Sequence, residues 1–439
     1  MILRGDYRLR PLDGPTSYRH IRVALDATPL LDSLTGIGVF CSNILNELSK
    51  RSDIELHAFA VSWRRREGIR AKLPESAISV QRAMPARPLH AIWKRSNLVP
   101  LEWFIGDVDV VHGTNFVVPP TKRAATIVSV HDLTPLHYPQ MCNAATRQYP
   151  DLIRRAIARG AWIHTDSEYV AQEVIEAFDV DPDKVRTVYL GATGSPLDSP
   201  LDSPLDSPPG LSAGLGHTGI ENSALAGNAC HLFGVEDLIR TILPLGTTRY
   251  ILAVGRCEPR KDLPGLVKAF ELIANDIDDV ALVLVGPSGW GSDTLKLVLE
   301  DLEPEVARRV VRTGWVDDSS LRQLLGGASL LAYPSIYEGF GLPPLEAMAT
   351  GIPVVATSAG ALPEILGDAA VLVPVKDFTT LANSLAELLD NEVQRNVLIT
   401  KGLERAALFT WEACADGLGV LYKDVVDDHF APRRSKSAS

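Results

Sequence analysis

From Ile21 onward, short runs of consecutive apolar residues alternate with stretches whose apolar positions recur every three to four residues. The continuous runs predict strands at Ile21–Asp26, Ile54–Phe59, Val108–His112, Thr126–His131, Trp162–Thr165 and Val185–Tyr189. The periodic stretches predict helices between several of them, at Gly38–Lys50, Asn143–Arg159 and Glu168–Phe178. Strands that are apolar throughout and separated by helices imply a parallel sheet covered on both faces. The rhythm then stops. A Ser-Pro-Leu-Asp repeat runs from Ser195 to Asp206 and fades into Ser207–Gly210. Proline at every fourth position removes amide donors, so neither a helix nor a central strand persists there. An exposed, semi-extended insertion is expected, tolerated in a surface loop rather than tuned as a spacer.

A second series follows. Strands are predicted at Tyr250–Val254, Ala281–Val285, Val310–Thr313, Ser329–Tyr333, Val354–Ala356 and Val371–Val373. Helices are predicted at Leu263–Asn275, Ser292–Leu302, Ser319–Leu325, Leu345–Thr350, Phe378–Asp390 and Glu392–Ala407. At 439 residues the chain exceeds what one hydrophobic core serves. The fold class expected is therefore α/β, two doubly wound Rossmann-like domains facing a central cleft. Ligands of such sheets bind outside the carboxyl ends of the strands, which puts the site in that cleft.

Charge and cysteine usage narrow the function classes. A net charge of −11 argues against nucleic acid as the main partner. Five scattered cysteines (Cys41, Cys142, Cys230, Cys257, Cys414) with no close pair read as reduced thiols in a cytoplasmic protein. No apolar run approaches the roughly 20 residues that span a bilayer, and Met1–His20 lacks the apolar region of a secretory signal. Between Trp63 and Arg95, however, nine basic residues face two acids. Such a local field can hold a protein peripherally on an anionic membrane, at the inner face, or simply form a solvated surface.

Two segments of the second series carry chemistry. Val254–Asp262 leaves a strand and enters a helix, placing Arg256 and Lys261 where a forked and a mobile cation can face a diphosphate. Tyr333–Ala349 holds Glu338, Gly339, Phe340, Gly341, Leu342, Pro343, Pro344 and Glu346. Glycines before a helix entered through proline leave bare amides for an anion. Glu338 and Glu346, eight positions apart, suit hydroxyls along one ligand, since ionised carboxylates only accept hydrogen bonds. In the first series, Gly36 and Gly38 open a helix, with Cys41 where a dinucleotide fingerprint needs its third glycine. His131–Asp132 lies just past a buried strand, and His112 ends an earlier one.

The Glu338-to-Glu346 spacing resembles the E-x7-E motif of family 4 retaining glycosyltransferases, and Arg256 with Lys261 resembles that family's donor-phosphate cations. The resemblance continues through Gly314-Trp315-Val316, Gly351–Ala356 and Gly360–Glu364, and covers Ile21 to about Asp428 apart from the Pro-rich insertion. It implies the GT-B fold and a hexosyltransferase that works with retention and without metal or cofactor. Arg256 and Lys261 would stabilise the leaving diphosphate. Glu338 would hold the sugar hydroxyls with the amides of Gly339, Phe340, Gly341 and Leu342. Glu346 would take the ribose and the backbone at Val316 the base. His131 and the Gly36–Gly38 loop would close over the donor.

Glu258–Lys261 and His131–Leu133 further resemble bacterial mannosyltransferases of polysaccharide or glycolipid synthesis, favouring GDP-mannose as donor and a glycan or lipid-linked acceptor. The alternatives are a UDP-sugar-dependent transferase, a nucleotide-sugar epimerase or hydrolase, and a non-catalytic glycan-binding protein. The organisation implied is a flexible leader (1–20), an acceptor-side domain (21–190), an insertion and linker (191–246), a nucleotide-sugar domain (247–410), a helix packing back on the first domain (411–428) and a flexible tail (429–439).

Overall fold

The computed structural model describes residues 20–31, 35–63, 67–80, 82–194, 239 and 241–431. The Ser-Pro-Leu-Asp repeat, the leader up to residue 19 and the tail from residue 432 lie outside these.

The first sheet has seven strands: β1 (Ile21–Asp26), β2 (Ile54–Phe59), β3 (Ile78–Ser79), β4 (Val110–Gly113), β5 (Ala125–Val130), β6 (Trp162–Thr165) and β7 (Val185–Thr187). The second has six: β8 (Arg249–Val254), β9 (Val280–Val285), β10 (Val310–Gly314), β11 (Leu330–Tyr333), β12 (Val354–Thr357) and β13 (Val371–Val373). The strand orders are β3-β2-β1-β4-β5-β6-β7 and β10-β9-β8-β11-β12-β13, and every pairing is parallel. Both sheets thus reverse direction once, between β1 and β4 and between β8 and β11. Helices leave opposite faces on either side of such a reversal, and the crevice between them is the binding point of an open α/β sheet. The continuous apolar runs have their cause in burial on both faces: β4, β6, β9, β11 and β12 are buried at every position. This is the two-domain GT-B architecture.

Local differences follow from proline and from short edges. The stretch Asn143–Arg159 is not one helix; a 3-10 turn at Thr146–Gln148 precedes a helix at Tyr149–Ala158. Pro150 has no amide to donate and is accommodated only in a first turn, where none is needed. For the same reason the helix expected from Leu345 starts earlier, at Leu342, and takes Pro343 and Pro344 into its opening turn. The basic stretch contains short helices at Glu67–Arg70 and Ala86–Trp93 and the two-residue edge strand β3, too brief to leave a periodic signal.

The 20-residue helix Trp411–Phe430 crosses to the first domain and packs on the helix Gly36–Leu48 and on β5. Its Tyr422 is fully buried and bonds His112, while Lys184 pairs with Asp428 and Arg51 with Asp416. One buried cluster runs from Val23 and Ile44 through Leu418 and Trp411 to Leu345 and Tyr250, so the hydrophobic core is continuous between the domains.

Candidate active site

The two switch points face each other. After β8, a 3-10 turn at Pro259–Lys261 is closed by Asp262, whose left-handed backbone (φ 44°) is stabilised as its carboxylate caps Gly265 of the helix Leu263–Ala274. The turn directs Arg260 and Lys261 inward, toward the loop leaving β11. There Glu338, only 5% exposed, accepts from Lys261 Nζ at 2.6 Å and pairs with Arg260 at 2.7 Å. Lys261 also donates to the Tyr333 hydroxyl and lies 4.6 Å over that ring. Burial alone would raise the Glu338 pKa; Arg260 and Lys261 overcome it and hold the carboxyl down at about 2. Glu338 is therefore ionised at every physiological pH.

Of the expected pair of cations, Lys261 reaches Glu338 but Arg256 does not. Arg256 is 36% exposed and stands 4.0 Å from Glu258. Arg260 occupies the inner position, and it was missed because the sequence alone does not show which side chains of a Glu-Pro-Arg-Lys turn point inward. Three cations (Arg256, Arg260, Lys261) here meet two carboxylates (Glu258, Glu338). Asp132 of the first domain also faces Arg260, so the three cations are balanced by three carboxylates, one of them contributed across the cleft.

The loop after Glu338 is shaped for an anion. Among the described residues, no protein acceptor takes the amides of Gly339, Phe340, Gly341 or Leu342. Gly341 has φ 106°, a left-handed conformation that lets the loop turn into the helix Leu342–Ala349. The unspent amides and that helix's first turn have the character of an anion seat. Glu346 sits farther along the same helix. Its carboxylate has no hydrogen bond or ion pair among the described residues, and burial together with Asp318 pushes its pKa up to about 7. Val316, half-buried, follows β10 across the cleft from the first domain.

The first domain meets this loop directly. Gly36, the first residue of its helix, lies so that a Cβ there would be 3.9 Å from Leu342, and the buried Gly38 follows two residues later. Gly339 packs against the main-chain oxygen of His131 so closely that a Cβ would fall 1.7 Å from it. The His131 ring itself is turned into protein: Nε2 bonds the Thr114 carbonyl at 2.8 Å and Nδ1 bonds Asp166 at 2.7 Å. A carbonyl and a carboxylate both only accept, so both ring nitrogens carry hydrogen and His131 is an imidazolium. Burial opposes that charge, yet Asp166 prevails and the pKa is raised. In this closed arrangement no nitrogen of His131 is left for a ligand. Its partner was legible only from register: Val130 pairs with Thr165, so His131 and Asp166 leave adjacent strands side by side.

His112 is satisfied between Tyr422 and Ser129, and burial holds its pKa well below the usual histidine value. It is a neutral structural residue.

Closure is held by three side chains of the second domain that bind the main chain of the first. Glu364 accepts from the amides of Glu168 and Tyr169, both at 2.8 Å. Tyr337 accepts from the Leu133 amide at 3.0 Å and donates to Glu173. Trp290 donates to the Met141 carbonyl at 2.8 Å. Ser167 answers in the other direction, donating to the Gly339 carbonyl at 2.7 Å.

Comparisons with known proteins agree with this geometry. Residues 34–193 match the family model described as Glycosyltransferase Family 4, and residues 235–405 match Glycosyl transferases group 1. The O-antigen chain mannosyltransferase B of Escherichia coli is 28% identical over 313 residues, 70% of this chain and 71% of that one. A D-inositol 3-phosphate glycosyltransferase of Mycobacteroides abscessus is 35% identical over 186 residues, 41% of this chain and 40% of that one. Among solved structures, sucrose-phosphate synthase of Thermosynechococcus elongatus shares the fold at a TM-score of 0.66 and 20% identity, covering 93% of this chain and all of that one. The glycosyltransferase WaaG does so at 0.61 and 15%, covering 94% and 100%. With a family 4 match on the first domain, a group 1 match on the second and the GT-B fold joining them, the chain belongs to the family 4, group 1 glycosyltransferases.

Proposed function

We propose that this glycosyltransferase moves a hexose with retention of configuration, mannose from GDP-mannose, to a glycan or lipid-linked acceptor. The observation that carries the reading is an ionised, buried Glu338 gripped by Arg260 and Lys261 beside four unspent amides. A diphosphate entering there would meet the partly exposed Arg256 and the amides, and Glu338 would accept from the hydroxyls of the sugar. The bond from the anomeric carbon to the leaving phosphate breaks as the bond to the acceptor oxygen forms on the same face. The acceptor's proton passes to the leaving phosphate, so no enzymic nucleophile is required. Arg256, Arg260 and Lys261 supply the positive charge that a metal would otherwise provide, which supports metal independence.

The mannosyl choice rests on the likeness to the O-antigen mannosyltransferase. Nucleotide release measured with GDP-mannose, UDP-glucose and ADP-glucose, each with and without chelator, tests it. Release from GDP-mannose that survives chelation is expected; activity confined to a UDP-sugar would overturn the donor assignment. Acceptor-independent turnover would favour an epimerase or hydrolase instead.

We further propose peripheral binding to anionic membrane through the stretch 63–95. No helix among the described residues is long and apolar enough to cross a membrane. The stretch nevertheless exposes Trp63 and Ile92, with Leu98 and Trp103 close behind in sequence, among its basic residues. Such a mixture suits the interfacial zone of an anionic bilayer. Co-sedimentation with phosphatidylglycerol vesicles at low salt is expected, and its absence would remove this proposal.

A further inference from the structure

The first domain contains a cavity of about 270 Å³ that the donor chemistry does not use. It lies at the carboxyl ends of β1 and β4, the switch point of that sheet, and is bounded by Asp26 and Asn115 on one side and by Trp93 and Tyr149 on another. It adjoins the cleft: Thr114, next to Asn115, donates to the Asp26 carbonyl and accepts from His131, whose own carbonyl touches Gly339.

Two polar groups on its wall are unspent. Asp26 is 9% exposed; its Oδ1 accepts from the amide and hydroxyl of Thr28, while Oδ2 receives no hydrogen bond among the described residues. The Oδ1 of Asn115 is buried without any partner. Leaving the buried Asn115 oxygen unpaired costs free energy, and with the open Asp26 oxygen beside it the cavity wall points to a ligand with hydroxyl donors. The rest of the lining is largely uncharged. Burial, with Lys94 beside it, lowers the His90 pKa and keeps that ring neutral, and Tyr149 is held by stacking on Phe116 at 4.5 Å. Lys94 stands at the rim with its ammonium bonded to Gln148.

We propose that this cavity seats a single uncharged pyranose ring of the acceptor, with Asp26 and Asn115 accepting from its hydroxyls and Trp93 and Tyr149 covering its apolar faces. This rests on the glycosyl-transfer reading and adds the acceptor's chemical class. The volume is below the roughly 300–1,000 Å³ typical of pockets for drug-sized ligands, so one ring fits and a chain does not. A phosphate-bearing acceptor is disfavoured: it would place its charge against a buried carboxylate that has no cationic partner. Specificity would then come from repulsion as well as attraction.

The test uses the full-length protein and two kinds of probe, a set of neutral methyl α-glycopyranosides (mannoside, glucoside, galactoside) and D-inositol 3-phosphate. Saturation-transfer NMR reads binding, and nucleotide release from GDP-mannose is followed in parallel. At least one neutral glycoside is expected to bind at millimolar concentration, and the phosphate probe is not. Asp26→Asn should weaken the glycoside about tenfold, the size of a lost charge-assisted hydrogen bond. Ala145→Trp, on an exposed loop position lining the cavity, should abolish glycoside binding without touching the core. The proposal is overturned if no glycoside binds, if Ala145→Trp leaves binding unchanged, or if D-inositol 3-phosphate binds and binds better to Asp26→Asn. Glycoside binding without nucleotide release supports the subsite and removes the GDP-mannose assignment; nucleotide release without glycoside binding removes the subsite alone.

Discussion

Replacing Gly339 with alanine would set a methyl carbon 1.7 Å from the His131 carbonyl oxygen and 3.1 Å from the Asp132 side chain. A carbon approaching a carbonyl oxygen stops at about 3.3 Å, so the two loops must part by about 1.6 Å. Gly339 has no left-handed backbone, and alanine adds no strain of its own. The cost therefore falls on closure, because the oxygen in the way belongs to the opposite domain. A displacement of that size away from productive geometry costs on the order of 10²-fold in rate, or about 2.7 kcal/mol of barrier. We expect kcat/KM for sugar transfer to fall by about that factor. Affinity for free nucleotide, which on the proposed reading rests mainly on the second domain, should fall by less than kcat/KM. Steady-state nucleotide release gives the first quantity and titration calorimetry the second. Gly68→Ala serves as control, since a Cβ at Gly68 meets nothing within 4 Å. A Gly339→Ala enzyme whose kcat/KM stays within about twofold of the parent would refute the closed geometry, because a factor of two is under 0.5 kcal/mol of barrier.

Glu338→Gln leaves Arg260 and Lys261 without their counter-charge. A carboxyl held near 2 rather than 4.5 contributes about 3 kcal/mol of stability. With its pKa depressed on folding, that contribution is complete above pH 4.5 and fades as pH falls toward 2; urea melts should show the gap to the parent narrowing over that window. Glu346 has the opposite sign. Its pKa is raised to about 7, so its ionisation costs stability as pH climbs from 4.5 through 7. Glu346→Gln should be as stable as the parent at pH 4 and more stable at pH 8, while binding nucleotide less tightly by calorimetry. Glu364→Ala removes the cap on the amides of Glu168 and Tyr169, worth about 1 kcal/mol; kcat/KM should drop several-fold with nucleotide affinity unchanged.

The architecture was legible because nearly every strand is buried on both faces, and double burial writes itself as an unbroken apolar run. Of the strands, β3 escaped that signal, being two residues long on an edge. The donor loop was readable for a different reason: Glu338, Gly339, Gly341 and Pro343 are local, and each changes what the backbone can do. What the sequence could not display is direction. Whether Arg256 or Arg260 turns inward depends on the left-handed Asp262 that closes the 3-10 turn. Whether His131 faces ligand or protein depends on Asp166, thirty-five positions away and brought alongside only by the β5–β6 register. The cavity beside Asp26 was equally hidden, assembled from five separate chain segments whose residues individually look ordinary.

Three of the side chains that hold the domains together make one kind of contact. Trp290, Tyr337 and Glu364 reach from the second domain to a carbonyl and to amides of the first. A main-chain group is present whatever the side chain, proline excepted for an amide. The side chains of Leu133, Met141, Glu168 and Tyr169 can therefore change without erasing these bonds, whereas Ser167 and Glu173 grip through their own side chains. On the proposed reading, one half of the enzyme keeps a fixed hand while much of the other stays free to change, and acceptor choice would be separable from the machinery of transfer. Chimeras that exchange first domains should consequently keep closing so long as the loop paths, Ser167 and Glu173 are preserved.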